Sequence, residues 1–239
     1  MKRHSLHIGI DRYNDPQIRD LPFCTADAEL LASFFRDVVG YDSVSVIADP
    51  TRKSILDAVL SEIAQLNLGD LLVMSYSGHG FQTEGKALLG AADSRMQFIQ
   101  EGVDGVPLAM LMKIVREQGC DCAFFIDACS RPGLGTREIS VPKLSPESFP
   151  RDLILQEDME GPYWCVMRPE MPMEVASLGH GLFSGALDRA LREAHGLGKP
   201  TIDAVYALVK AHAKAISQDN GMQCPSIEMS WSGPSVKLW

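Results

Sequence analysis

An α/β fold, with a mostly parallel central sheet of about six strands and helices on both faces, is what this sequence predicts. Three observations lead there. Short apolar runs such as Leu71-Leu72-Val73-Met74 and Ala123-Phe124-Phe125-Ile126 are bounded by turn residues, and read as strands covered on both faces. Strand-like and helix-like segments alternate in units of roughly thirty residues or more, long enough for right-handed crossovers between parallel neighbours. The two runs also stop at reactive groups: Ser75-Tyr76-Ser77-Gly78-His79-Gly80 follows the first, Asp127-Ala128-Cys129 the second. In an open α/β sheet, functional groups collect beyond the carboxyl ends of the strands.

Leu6-His7-Ile8-Gly9-Ile10 makes a first strand, followed by a polar loop with Tyr13, Asn14 and Pro16. Thr25 suits the N-cap of a helix running through Phe35, whose Leu30, Leu31, Phe34, Phe35 and Val38 recur at three and four and form one apolar face. Gly40 ends it, and residues 44–47 make a second strand. Asp49-Pro50-Thr51 opens a second helix with Ile55, Leu56, Val59, Leu60, Ile63 and Leu66 on its inner stripe; Gly69 then turns the chain into the strand at Leu71. Ala87-Leu88-Leu89-Gly90 reads as a short edge hairpin, and Gly105-Val106-Pro107 leads into a third helix reaching about Arg116. Between residues 131 and 160 the periodicity lapses under Pro132, Gly133, Gly135, Pro142, Pro146 and Pro150. An irregular stretch of this length inside a compact domain marks a substrate-facing loop rather than a domain linker. Residues 163–167 resume as a strand. Gly181 to Ser184 start a helix through Ala194, Thr201 caps another through Ile216, and residues 227–231 form a last edge strand. The chain is expected to be one domain over residues 1–239.

With 46% hydrophobic and 22% charged residues, the composition is that of a globular protein that buries a core. No apolar run approaches the ~20 residues that cross a bilayer. Met1-Lys2-Arg3-His4-Ser5 leads into a strand and not into a signal-peptide core, so no membrane partner and a cytoplasmic location are expected. The net charge of −9 argues against a nucleic-acid partner, which needs clustered Lys and Arg, and suits a basic peptide. Cys24, Cys120, Cys122, Cys129, Cys165 and Cys224 hold no C-x-x-C pair and no zinc spacing with histidine. No metal ligands are therefore assigned, and most of these thiols are expected to be small buried hydrophobes.

Cys129 is different because it ends a strand. A thiol at neutral pH is mostly protonated and needs a base beside it to attack as thiolate. His79 ends the preceding apolar strand, between Gly78 and Gly80, which leave room for backbone and substrate to approach. The amides of Gly80 and Cys129 are then placed to meet a developing oxyanion. A second Gly-His-Gly, at Gly179-His180-Gly181, offers a rival base. His180 opens an amphipathic helix, where the helix N-terminus favours the neutral imidazole, and a structural role is assigned to it. His4, His7, His195 and His212 have no partners at ligand spacing and read as surface or core residues.

Ser77-Gly78-His79-Gly80 after one strand and Asp127-Ala128-Cys129 after the next, fifty positions on, resemble the caspase-like cysteine proteases of clan CD (peptidase C14), in which the histidine lies ~50 residues before the cysteine. Leu21-Pro22-Phe23-Cys24-Thr25-Ala26-Asp27-Ala28 is similar to the metacaspase segment Cys-x-x-Asp-Ala, and Glu174-Val175-Ala176 followed by Gly179-His180-Gly181-Leu182-Phe183-Ser184 to a stretch frequent in bacterial caspase-family proteins. The resemblance implies a caspase-like α/β/α sandwich with Cys129 as nucleophile, His79 as general base, and Gly80 and Cys129 as oxyanion-hole amides. It also implies a first specificity pocket, S1, lined by Asp27, Asp127, Ser77 and Cys24. Caspases carry Gln where this chain has Asp127, and prefer aspartate. Two carboxylates at that place favour a P1 Arg or Lys instead, because a buried carboxylate wants a cation.

The same resemblance implies a peptide substrate, a regulatory partner protein and, from metacaspases, activation by calcium. Asp93, Asp104, Asp152 and Asp158 are acidic loop residues, although no D-x-D-x-D-G loop exists, and no cofactor is required by the sequence. Arg131, Arg137, Lys143 and Arg151 are candidate self-cleavage sites in the irregular stretch. Cys129-Ser130-Arg131-Pro132-Gly133 departs from the usual Cys-His-Ser-Gly of metacaspases. That departure keeps a second function open: a catalytically degenerate caspase-like interaction or scaffold module.

Overall fold

The computed structural model describes residues 1–83, 86–129, 164–169, 173–232 and 235–239. The predicted loop at 131–160, with its four candidate cleavage sites and with Asp152 and Asp158, lies outside the described residues, as does the residue after Cys129.

In chain order the elements are β1 (Arg3–Gly9), α1 (Cys24–Ser33), a π-helical turn (Phe34–Val39), β2 (Ser43–Ala48), α2 (Arg52–Ile63), β3 (Leu71–Thr83), β4 (Lys86–Leu89), α3 (Met96–Gln100), β5 (Val106–Pro107), α4 (Leu108–Glu117), β6 (Asp121–Cys129), β7 (Trp164–Pro169), β8 (Glu174–Val175), β9 (His180–Gly181), α5 (Leu182–Gly196), α6 (Ile202–Asp219) and β10 (Ile227–Ser232). The central sheet runs β10-β7-β6-β3-β1-β2, with β4 and β5 attached beyond β3 and a separate β8–β9 ribbon. Every pair along the main path is parallel except β10 against β7. The six expected strands are the main path, and the short β4 and β5 raise the sheet to eight.

The sheet divides the core in two. Leu72, Met74 and Tyr76 of β3, with Phe124 and Ile126 of β6, pack with residues of α2 and α4. Leu71 and Val73, with Ala123 and Phe125, pack with residues of α1, α5 and α6. Because side chains alternate along a strand, Ser77, His79 and Asp127 share the second face.

Three local expectations are corrected. Thr25 does not cap α1: the N-cap position is Phe23, with no side-chain bond. Asp11, at the end of β1, caps instead, its carboxylate accepting from Cys24 N–H at 2.7 Å and Thr25 N–H at 3.1 Å, and from the Thr25 hydroxyl. The helix also does not stay α-helical through Phe35. It widens at Phe34, which lets two consecutive rings enter the core, Phe34 against His195 and Trp239 and Phe35 against His7 and Tyr41. Finally, Leu60 is 49% exposed despite its place in the α2 stripe. Thr51 and Gly40 do cap as expected, Thr51 accepting from Ser54 N–H and Gly40 adopting φ 72°.

Candidate active site

The site is built where three parallel strands end together. Gly9 of β1 is in register with Ser77 of β3, and Ser77 with Asp127 of β6; one pleat further, His79 is the register partner of Cys129. The last rung of the β3–β6 ladder thus joins the backbones of the predicted base and nucleophile, at the usual strand spacing of about 4.8 Å.

His79 is held from its own side chain outward. Its Nε2 lies 2.7 Å from the Arg19 carbonyl oxygen, in the loop between β1 and α1. A carbonyl only accepts, so Nε2 carries the proton and Nδ1 keeps its lone pair. Burial lowers the imidazole pKa more than the Arg19 carbonyl raises it, which keeps the ring neutral at neutral pH. Gly80 pairs with Leu89 of β4 in a rung where the Gly90 amide donates to the His79 carbonyl. In such an antiparallel rung Gly80's own N–H turns away from β4, toward the β6 edge.

Asp27, Asp127, Ser77 and Cys24 come together as expected from the resemblance. Asp27 is wholly buried and Asp127 is 6% exposed. Ser77 Oγ donates to Asp27 Oδ2 at 2.8 Å, and Gly181 N–H to Asp27 Oδ1 at 2.9 Å. Ser184 donates to Asp127 Oδ2 through its amide at 3.2 Å and its hydroxyl at 2.9 Å. Both carboxylates therefore sit on the first turn of α5, whose free N–H groups and dipole favour negative charge. Gly181 is required at their meeting point, since a Cβ there would stand 2.6 Å from Asp127 Oδ2 and 3.0 Å from Asp27 Oδ2. Burial, then the Asp27 charge, push the Asp127 pKa up to about 8 in spite of the Ser184 hydrogen bonds. Burial also pushes the Cys24 thiol up.

Glu174 of β8 lies near this cluster; the sequence marked it only as part of the stretch before His180, with no role assigned. It is exposed at the surface, yet partial desolvation and then the Asp27 charge lift its pKa to about 7. The β8–β9 ribbon, pairing Glu174 with Gly181, brings it beside the two aspartates. His180 behaves oppositely to expectation. Its Nδ1 stands 3.3 Å from Asp27 Oδ1, at ion-pair distance without hydrogen-bond alignment, and that carboxylate raises its pKa. The nearby charge outweighs the helix N-terminus.

Three further thiols, Cys120, Cys122 and Cys165, are poor nucleophiles by environment, whereas Cys224 is exposed. Burial pushes Cys120 up to about 11, Cys165 up to about 12, and Cys122 well above its ordinary value. His4 and His7 are core residues with partners, His4 Nδ1 2.8 Å from Glu62 and His7 Nδ1 2.8 Å from Ser75. Of the acidic residues considered for calcium, Asp93 accepts from the Arg52 amide and Asp104 from Arg95. Among the described residues no group of three or more His, Cys, Asp or Glu side chains is placed to hold a metal ion. Nor, among them, is any helix long and apolar enough to cross a membrane.

A doubly covered sheet with a histidine and a cysteine on adjoining strand ends defines a cysteine-peptidase-type fold. The chain belongs to the caspase-domain family (peptidase C14), whose profile matches residues 2–232. Among solved structures it is similar to protein GSU0716 from Geobacter sulfurreducens, with a TM-score of 0.64 and 18% identity over 98% of this chain and 94% of that one; at that identity the likeness speaks for the fold. No curated protein matches.

Proposed function

We propose that this protein is a cysteine endopeptidase of metacaspase or bacterial orthocaspase type that cuts peptide bonds after Arg or Lys. The observation that carries the reading is the shared strand end: His79 in register with Cys129, one pleat beyond the buried Asp27–Asp127 pair. Cys129 gives its proton to Nδ1 of His79, the nitrogen left free by the Arg19 carbonyl, and the thiolate attacks the scissile carbonyl carbon. The C–S bond forms as the carbonyl electrons move to oxygen, and the amides of Gly80 and Cys129 stabilise that oxyanion. Nδ1–H then protonates the leaving amine as the C–N bond breaks. Water, deprotonated by His79, hydrolyses the thioester and restores the thiol.

Specificity follows from the pocket. Asp27 and Asp127 form a buried pair in which Asp127 keeps its proton near neutral pH, and an entering guanidinium or ammonium supplies the counter-charge that lets both ionise. Cys24 and Ser77 complete the lining, and Glu174 adds a third carboxylate at the rim. The protein acts in the cytoplasm, under control of a regulatory partner, with calcium tested as an activator.

The deciding assay is turnover of Arg-, Lys- and Asp-P1 fluorogenic peptides, with and without calcium, by the wild type and Cys129→Ala. Cleavage of the basic peptides alone, abolished in Cys129→Ala, is expected; the loss is at least ~1,000-fold, as for removal of a nucleophile. A folded wild type that cleaves none of them overturns the reading in favour of a non-catalytic scaffold.

A further inference from the structure

The loop between β1 and α1 does more than offer the Arg19 carbonyl. β3 outruns β1 after the Gly9–Ser77 rung, and the Ile10 amide donating to the Ser77 carbonyl at 3.0 Å closes that ladder. Two residues on, His79 turns its N–H and C=O to the same edge, where β1 no longer reaches. The His79 N–H donates to the Tyr13 hydroxyl at 2.9 Å. The His79 carbonyl accepts from the Gly90 amide at 2.8 Å and from the Tyr76 hydroxyl at 2.8 Å.

Two phenols thus hold the two peptide groups of one residue: Tyr13 accepts from the His79 N–H, and Tyr76 donates to the His79 carbonyl, with the Gly90 carbonyl at 3.2 Å as a second acceptor. The Tyr13 ring also lies against the imidazole, centroids 5.0 Å apart at 51°. Both phenols are buried, Tyr13 at 8% and Tyr76 at 2% exposure. Gly78 makes the room: a Cβ there would meet Tyr76 Oη at 2.6 Å and Tyr13 Oη at 3.1 Å. The glycine before His79 thus serves the tyrosines beneath the strand, not the substrate above it.

We infer that Tyr13 is a positioning residue for His79, fixing its backbone amide beside Tyr76 on its carbonyl, while Arg19, six residues further along the same loop, fixes its ring. This rests on the reading of His79 as the base for Cys129. Without the Tyr13 hydroxyl the His79 amide has no partner on that edge, and the strand end is free to shift. A base displaced by a fraction of an ångström loses rate rather than affinity.

The test uses Tyr13→Phe, which keeps the ring and removes one oxygen, beside His79→Ala and Tyr76→Phe. Two readouts need no substrate. One is the rate at which iodoacetamide alkylates Cys129, followed across pH by the mass of the labelled peptide. The other is the ¹⁵N spectrum of the His79 ring, which reports the tautomer. With Tyr13→Phe the alkylation rate at neutral pH should fall about tenfold, the rate equivalent of one neutral hydrogen bond. The single Nε2–H tautomer should give way to a mixture. Tyr76→Phe removes the phenol that holds the His79 carbonyl, should change both readouts in the same direction, and carries the test if Tyr13→Phe does not fold. A Tyr13→Phe protein with wild-type alkylation and an unmixed tautomer, even one that melts earlier, overturns the inference and leaves the dyad standing. Alkylation unchanged in His79→Ala overturns the dyad, and with it the role given to Tyr13.

Discussion

Two carboxyl groups buried side by side cannot both stay charged without a cation, and this decides how Asp127 behaves. The folded chain holds its pKa up at about 8 through burial and the Asp27 charge, while an unfolded aspartate titrates at about 3.9. Between those values the folded protein keeps a proton that the unfolded chain has released. The stability Asp127 contributes is therefore complete below about pH 4 and lost as pH rises through about 8. Asp127→Asn cannot ionise, so its melting temperature should fall less between pH 5 and pH 9 than that of the wild type; an equal fall would remove Asp127 as the titrating group. Glu174, also raised, titrates in the same sense and remains in the variant. If a basic side chain fills the pocket, the same substitution raises KM for an Arg-P1 peptide by about ten- to a hundredfold, the worth of one charge-assisted hydrogen bond. At this scale the sequence was informative wherever side-chain identity carries the chemistry, as at His79, Asp27 and Asp127. It marked Glu174 only as part of a recognisable stretch, without a role, and was silent on the Arg19 carbonyl, which every residue possesses, and on the role of Tyr13, which depends on folded neighbours.

Helix ends show the same division between local pattern and remote partner. Thr51 caps α2 from within its own segment, accepting from Ser54 N–H, and a local signal finds it. The cap of α1 is Asp11, thirteen residues before Cys24, so local reading chose Thr25, whose hydroxyl instead donates to Asp11. Likewise α5 begins on carboxylates from α1 and β6, not on a cap of its own. The apolar runs were legible because burial on both faces leaves a continuous hydrophobic signature. The π-helical turn was not, because Phe34 and Phe35 fit an α-helical stripe equally well until Trp239 and Tyr41 close around them. Asp11→Ala tests the remote cap. It strips the partner from Cys24 N–H and Thr25 N–H at once, and should cost about 1–2 kcal/mol, the upper range for a cap, read as a lower denaturant midpoint at unchanged slope. Thr25→Val, which removes only the hydroxyl, should cost less. If the two variants are equally destabilised, the backbone amides do not depend on Asp11.

For the whole molecule, what matters is how the layer carrying the Asp27–Asp127 pair is closed. α1, α5 and α6 cover one face of the sheet, and the C-terminal residues 235–239 return to seal it. Val236 is 3% exposed and Leu238 wholly buried. Their backbone is tied to the start of α6, Ile202 N–H donating to Val236 O at 3.0 Å and Leu238 N–H to Pro200 O at 2.8 Å. The Tyr41 hydroxyl reaches back to Leu238 O at 2.5 Å, and the Trp239 ring lies 5.8 Å from Phe34 and 5.4 Å from His195. Two buried aliphatic side chains are worth about 1.5–3 kcal/mol each, against a total domain stability of about 5–15 kcal/mol. Deleting residues 236–239 should therefore remove a large share of the stability and lower the melting temperature by at least about 5 °C. Trp231→Lys, at a 51% exposed position on the edge strand β10, is the matched control: it removes a large aromatic from the opposite kind of site and should change stability by no more than about 0.5 kcal/mol. Calorimetry on the two variants separates the possibilities. If the deletion melts like the wild type, the tail is an ornament on a layer closed by α5 and α6 alone. If it melts early, the layer of α1, α5 and α6 on which the Asp27 and Asp127 carboxylates are seated depends on residues 236–239 for its stability.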